Sequence, residues 1–428
     1  LRARRGEGVP AIRREMVMGK GYNAAGLRWT GHPLPDMGIA GLLAHSGKGE
    51  PEEITLDDLE QFAKDCENWY LSKVLSGYIT VLFTSNLINP SFKEDKKRQF
   101  LGQLLRSYSQ QGDQTSRCVY CGRSSVQNAD RTLIPMLSGR TQINFYPGGD
   151  PTLDLCGLCI VALLALPIGA PFCEGRAVIV EAEDRNVLKA VATERLETVQ
   201  RLISLQPGDK PVNIRGPRTR VIDALVKWQR EHSRQGDDIA TAGTLTVYHL
   251  SNSGQGPDID IYPLPSAVVR FVMRAQAQAY RHLWNEVAGR GWESKRDDEP
   301  TENEKRALRN RFYDSLFNLP DGTASFVRNW FRWSLQEVEG MAAQAFQGRE
   351  RWPLISLFLQ EVLGMEKARI EAIRKVGDAL GQDIVEANDR SLFRRIFMGR
   401  TSYRNVRGTL IRANNEHVRR NGAPLLTL

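Results

Sequence analysis

Cys118-Val-Tyr-Cys121, then a spacer without cysteine or histidine, then Cys156-Gly-Leu-Cys159 form the stretch around which the chain is organised. A two-residue gap lets both thiolates of one turn face a single ion, and two such turns close a tetrahedral shell with no open position. The alternatives for paired cysteines are reduced thiols, a thioredoxin-like redox pair and disulfides. One redox pair needs no duplicate, and the rest of the chain holds only Cys66 and Cys173, so structural Zn²⁺ is the expected occupant. The spacer offers asparagines but no histidine, which argues against a ββα nuclease inserted in such a ribbon. Its polar, glycine-bearing residues 128–150 predict an irregular excursion held at its base by the metal.

The chain has 428 residues, enough for two or three domains with cores that need no staples, so the metal would pin a local subdomain. The longest apolar run, Ile160-Val-Ala-Leu-Leu-Ala-Leu-Pro-Ile168, is far short of the ~20 residues that span a bilayer and predicts a buried helix after the second pair. No membrane is expected as a partner. The basic opening Leu1-Arg-Ala-Arg-Arg is followed by no apolar region, so the expectation is no secretory signal and, with reduced cysteines, a cytoplasmic protein.

Residues 1–27 form an N-terminal extension. From Arg28 a proline-punctuated stretch leads into a small-residue helix with Asp36 as its expected N-cap, which leaves His32 and His45 without a ligand set. Thr55 precedes Asp57, Asp58 and Glu60 and predicts the start of a helix that buries Leu59, Phe62 and Cys66. Tyr78-Ile-Thr-Val-Leu-Phe83 reads as a buried strand from its β-branched and aromatic content. The turn after it carries Asn86, Asn89 and Ser91, followed by Lys93, Lys96 and Lys97. Such a turn either caps a solvated helix or touches nucleic-acid edges while its lysines hold phosphates. Strands are expected at 177–181 and 244–250, and helices at 189–205 and 221–231. The connection before the latter helix carries Arg215 and Arg218, and 251–258 has the composition of a linker.

A boundary is placed at 262/263, beyond which apolar residues recur at helical spacing: Val268, Val269, Val272, Met273, Leu283, Trp284 and Val287, then Phe326, Trp330 and Trp333, then Ile370, Ile373, Val376 and Leu380. These stripes read as the core of a helical bundle. The formal charge is +8, and 388–420 holds nine arginines against Asp389 and Glu416, so 9 − 2 = +7 falls in one segment. Arg390, Arg394, Arg395, Arg400, Arg404 and Arg407 are the candidates for phosphate contact, the alternative being a merely solvated face. The fold class expected is therefore α+β: an N-terminal mixed α/β domain over 28–262 with an inserted four-cysteine zinc ribbon at 118–159, followed by an all-α basic bundle over 263–428. No Walker A loop, dinucleotide turn, GxSxG elbow or HExxH occurs, and no set of nucleophile, base and orienter presents itself, so the chain is not expected to be an enzyme.

Gly31-His-Pro-Leu-Pro-Asp-Met-Gly-Ile-Ala-Gly-Leu42, the paired knuckles with Asn144-Phe-Tyr-Pro147 before the second, Leu166-Pro-Ile-Gly169 after it and Leu264-Pro265 together resemble the large subunit of the type I-B (Cst-type) CRISPR Cascade, an RNA-guided DNA surveillance complex. The resemblance covers roughly residues 28 to 420. It implies that the N-terminal domain sits at the 5′ end of the guide RNA and helps recognise a protospacer-adjacent motif in double-stranded target DNA. It further implies a bundle similar to the small subunits that steer the displaced strand and support the R-loop. Base pairing would read the sequence while protein reads the motif and backbone. The implied partners are the backbone, guide 5′-end and small subunits and a recruited helicase-nuclease, or a transposon targeting protein in transposon-associated relatives. A zinc-containing nuclease or other nucleic-acid-modifying enzyme, and a zinc-ribbon scaffold for an acidic protein, are the competing readings.

Overall fold

The computed structural model describes residues 24–71, 73–83, 93–137, 152–204, 214–232, 243–252, 257–294, 300–332, 351–398 and 403–425. It is a mixed, mostly helical fold with small antiparallel sheets and a helical C-terminal region. Asn86, Asn89, Ser91 and Arg400 lie outside the described residues, as do Trp333 and Asn144-Phe-Tyr-Pro147.

Helix α1 (Pro33–Ser46) starts three residues before Asp36, because two prolines fit a first turn whose amides need no intrahelical partner. Its N-cap is His32, whose Nδ1 accepts from the Leu34 amide at 3.2 Å. Asp36 lies within the helix and reaches back to accept from the Thr30 amide at 2.7 Å, the Thr30 hydroxyl at 2.8 Å and the Gly31 amide at 3.1 Å. This buried carboxylate also meets Arg185 at 2.9 Å. Residues 34–43 are all buried, so α1 is enclosed on every side, packed against α5 (Gly157–Leu164), α6 (Leu166–Gly169) and α7 (Arg185–Ile203). Its small residues permit close approach: a Cβ on Gly38 would sit 1.7 Å from the Ala162 carbonyl oxygen, and one on Gly41 2.9 Å from the Gly169 Cα.

Helix α2 (Leu56–Trp69) begins as expected, with the Thr55 hydroxyl accepting from the Asp58 amide at 3.1 Å and Asp58 accepting from the Thr55 amide at 2.9 Å. Its inward face carries Leu59, Phe62 and Cys66, the last fully buried. The stretch expected as a strand at 78–83 is instead the second half of helix α3 (Lys73–Leu82). Buried Leu75, Tyr78, Ile79 and Leu82 recur at helical spacing while Thr80 is exposed, and that periodicity outweighs the β-branched content. Tyr78 secures the helix by donating to the Ala170 carbonyl at 2.7 Å and stacking on Phe172 at 4.7 Å.

After α4 (Glu94–Leu105), strands β1 (Asp113–Arg117) and β2 (Ser124–Ser125) pair, and β3 (Gln127–Ala129) pairs with β4 (Leu153–Leu155), in two small antiparallel sheets. The larger sheet has the order β5 (Phe172–Cys173), β6 (Arg176–Ala182), β7 (Leu245–Ser251), β8 (Asp258–Leu264), antiparallel throughout. Buried Ala177–Val180 explains the apolar run of β6. β8 begins at the last residue of the stretch expected as linker and runs across the boundary expected at 262/263. It is an exposed edge strand, which is why it tolerates Pro263 opposite Thr246. Helix α8 (Pro217–His232) follows the arginine-bearing connection and contacts β7.

Two compact units result: Leu1–Val269 with Glu286–Asn318, and Arg270–Asn285 with Leu319–Leu428. Residues 286–318 thus return to the first unit, where Thr219 donates to Asp314 at 3.0 Å and Arg220 donates to the carbonyls of Arg306, Lys305 and Leu308. Helices α9 (Ser266–Arg274) and α10 (Gln278–Gly289) each contribute to both units. Short helices α11 (Glu302–Lys305), α12 (Arg311–Leu316) and α13 (Thr323–Phe326) follow. In the second unit Phe271, Trp284, Phe326, Phe331 and Phe358 cluster around helix α14 (Trp352–Glu361), so Phe326 is core as expected while Trp330 is half-buried; of the last stripe Ile370 and Leu380 are buried, but Ile373 is 49% exposed and faces solvent. Helices α15 (Lys367–Glu386), α16 (Arg390–Met398) and α17 (Tyr403–Asn421) share a smaller core of Leu380, Leu392 and Ala413.

Candidate metal centre

The two knuckles converge. The sulfurs of Cys118, Cys121, Cys156 and Cys159 all lie within 4.8 Å of one another, with Cys121 and Cys156 at 3.4 Å. A tetrahedral Zn²⁺ with bonds of ~2.3 Å holds its sulfurs about 3.8 Å apart, so the four donors fit that ion and are too far apart for disulfides, whose sulfurs lie ~2.05 Å apart. Among the described residues this is the one cluster of three or more metal-ligating side chains. His45 is engaged elsewhere, at 3.0 Å from Asp65.

Local backbone builds each knuckle. The Gly122 amide donates to the Cys118 carbonyl at 2.9 Å and the Cys118 amide to the Arg123 carbonyl at 2.7 Å, with Gly122 at φ +73, a left-handed position that glycine adopts freely. The second knuckle follows β4 directly and Cys156 is the N-cap of α5, so Cys159 lies in the first turn of a buried helix. Gly157 is dictated by space, since a Cβ there would lie 2.0 Å from the Ser107 carbonyl oxygen. Strand pairing joins the halves, through Val126 donating to the Leu155 carbonyl at 2.8 Å and Val119 to that of Asp154 at 3.0 Å. Residues 26–32 strap the first knuckle: Arg28 donates to the Cys121 carbonyl at 2.6 Å, Arg123 donates to the Gly26 carbonyl, and the rings of His32 and Tyr120 lie 4.8 Å apart.

The electrostatics favour ionised sulfur in the first knuckle, at Cys118 and Cys121, and oppose it in the second, at Cys156 and Cys159. S–H donation from the other three thiols holds Cys118 far below the usual thiol range, while the same crowding pushes Cys159 far above it. Four thiolates so close need a cation among them, and a divalent ion supplies it. Backbone amides of Cys156 and Arg123 also lie against the sulfurs of Cys118 and Cys121 and favour their charged forms. With all four positions supplied by cysteine, such an ion has no open site for substrate. Burial raises the Tyr120 hydroxyl well above its usual value and lowers His32 against the pull of Asp36.

The other candidate residues are scattered. Lys93 and Lys96 are exposed and Lys97 half-buried at the start of α4, in the same turn as Glu94 and Asp95. Arg215 is exposed, whereas Arg218 is half-buried over the ring of Tyr262 at 4.9 Å and 3.6 Å from Asp314. On α16 and α17, Arg390, Arg394, Arg395, Arg404 and Arg407 are exposed. Among the described residues none of these five faces a carboxylate within ion-pair distance, and Arg395 donates to Ser391 at 2.9 Å. Exposed Phe393, Ile396 and Val406 lie between them in sequence. Among the described residues no helix is long and apolar enough to cross a membrane. No protein-family model, no curated protein and no solved structure matches the chain.

Proposed function

We propose that the chain is a non-catalytic nucleic-acid-binding subunit of an RNA-guided surveillance complex, of the Cascade large-subunit kind that its sequence resembles. The observation that carries the reading is the exposed run Arg390, Arg394, Arg395, Arg404 and Arg407, which has no carboxylate to neutralise it among the described residues. A surface that only needs solvation is better served by interleaved acids, whereas unopposed guanidinium groups suit phosphate. In this reading the first unit is an α+β domain with a Zn²⁺-closed ribbon, and the second is a basic bundle that holds target or displaced strand. The ribbon keeps residues 118–159 in shape and does no chemistry. The 5′ end of the guide, the protospacer-adjacent motif and a downstream helicase-nuclease or transposition factor are the corresponding partners, in the cytoplasm.

The interleaved Phe393, Ile396 and Val406 favour a second reading, in which the same face docks a protein. One experiment separates them. The full chain, assembled with its guide RNA and co-purified subunits, is titrated with duplexes that differ only in the adjacent motif, at several salt concentrations, as wild type and as Arg394→Glu/Arg404→Glu. Loss of two phosphate contacts lowers the slope of log K against log salt by about 1.8 while motif preference stays. An unchanged slope overturns the arginine assignment, and equal affinity for all motifs overturns motif recognition.

A further inference from the structure

We propose that the cavity bounded by α7, α8 and α11 is a binding site for an oxyanion carried on an apolar or aromatic body. The cavity measures about 280 Å³, near the lower end of the ~300–1,000 Å³ of small-molecule sites. Its walls are largely apolar, from Phe172, Val191, Leu202 and Ile214 among others, yet four arginines border it: Arg195, Arg201, Arg220 and Arg306. The one carboxylate among its lining residues, Glu194, already faces Lys227 at 3.1 Å.

Two of these arginines have unused donors. Arg195 is 3% exposed and lies over the ring of Tyr78 at 5.0 Å. Its Nε donates to the Pro167 carbonyl at 3.0 Å, but among the described residues its two terminal nitrogens have no acceptor and no carboxylate pairs with it. Arg220 is 5% exposed; its terminal nitrogens donate to three carbonyls at 2.7 to 3.0 Å, while its Nε is buried without a partner. A buried guanidinium without a counter-ion is costly, and burial works against its charge here as well. The stacking on Tyr78 accounts for the position of Arg195 but not for its open donors. An anion in the cavity supplies the acceptor that Arg195 lacks and negative charge beside Arg220, and Arg195 offers it the parallel pair of N–H groups that suits phosphate or carboxylate. The apolar walls then select an anion attached to a ring or chain over a free inorganic ion. Nothing in this inference depends on the proposed nucleic-acid face, which lies on other residues.

The test uses the full chain and four probes: phenyl phosphate, benzoate, phenol and inorganic phosphate, each titrated calorimetrically. At least one of the two ring-bearing anions binds saturably and at least tenfold more tightly than both phenol and inorganic phosphate, and whichever of the two binds more tightly identifies phosphate or carboxylate as the group recognised. Arg195→Gln weakens that binding at least tenfold and leaves the weak phenol binding unchanged. Should Arg195→Gln fail to fold, photolabelling of the unmodified chain with azidophenyl phosphate decides: the label maps to 191–202 and 220–224 and is suppressed by excess phenyl phosphate. No saturable binding of either anion, an unaltered affinity in folded Arg195→Gln, or label confined to other segments overturns the proposal.

Discussion

Replacing Gly38 with alanine tests whether the contact between α1 and α5 is as close as the structure has it. The new Cβ would lie 1.7 Å from the Ala162 carbonyl oxygen, and since real Cβ contacts essentially never fall below 3.0 Å, something must move by at least 3.0 − 1.7 = 1.3 Å. The obstacle is backbone inside a buried helix, so no rotamer change relieves it. Overpacking of this kind costs about 1–3 kcal/mol and occasionally more, while alanine gains ~1 kcal/mol of helix propensity over glycine. With so large an overlap the upper end applies, leaving a net destabilisation of about 2 kcal/mol. The same substitution at Gly377 or Gly381 in α15 meets nothing within 4 Å and should stabilise by about 0.5–1 kcal/mol. Urea midpoints followed by circular dichroism give both signs from one chemical change. Because α5 carries Cys156 and Cys159 at its start, displacing it should also speed metal loss to a chromogenic chelator. A Gly38→Ala midpoint equal to or above wild type, with Gly381→Ala stabilised as expected, would refute the close packing.

Metal analysis of the purified chain should return about one zinc per molecule, lost on Cys156→Ser and released on acidification, because the ligands must be thiolates and protons compete for them as pH falls; a metal-free wild-type chain ends the assignment. Asp314 is 5% exposed and accepts from Thr219 and Arg309, so Asp314→Ala should lower the denaturation free energy by about 2–3 kcal/mol, less than the ~3–5 of a fully buried pair because Arg309 remains partly in water. An unchanged urea midpoint would mean that residues 286–318 are not held to the first unit by this network.

Features coded by neighbouring residues were legible in advance. The Thr55 to Asp58 capping box, the helical spacing that buries Leu59, Phe62 and Cys66, the apolar run of α5 and the two-residue gap within each cysteine pair depend on a few neighbouring positions. What was missed depends on distant ones. The helix at 73–82 is the exception: Leu75, Tyr78, Ile79 and Leu82 keep a helical spacing that is local, and the β-branched and aromatic content of 78–83 masks it. Asp36 is a plausible N-cap by composition, but its carboxylate meets Arg185 while His32 caps the helix, and the prolines that punctuate the stretch lie inside the first turn and not ahead of it. Gly157 in the second knuckle reads as a spacer although the chain at Ser107 forbids any side chain there. Edge strand β8 hides behind its charge and its proline, because only pairing with β7 makes it a strand.

The same limit governs what charge can say about function. A count over 388–420 yields +7, but it treats all nine arginines alike. Arg420 is held at 2.8 Å by Asp383, whose buried carboxylate also meets His417 at 2.5 Å, and Arg412 lies 3.4 Å from Glu416. Asp383 sits outside the counted window, so no local tally removes its partner from the surplus. Arg218, expected beside Arg215 as a phosphate contact, is committed to Tyr262 and Asp314. Conversely, Arg195 has Glu194 beside it in sequence, yet Glu194 pairs with Lys227 and leaves Arg195 without a carboxylate. The arginines available for an anion are therefore those whose acids are absent in space, on α16 and α17 and in the cavity of the first unit. Charge reversal at Arg394 and Arg404, set against Arg195→Gln, follows from that distinction: the first should alter the salt dependence of nucleic-acid binding and the second should not.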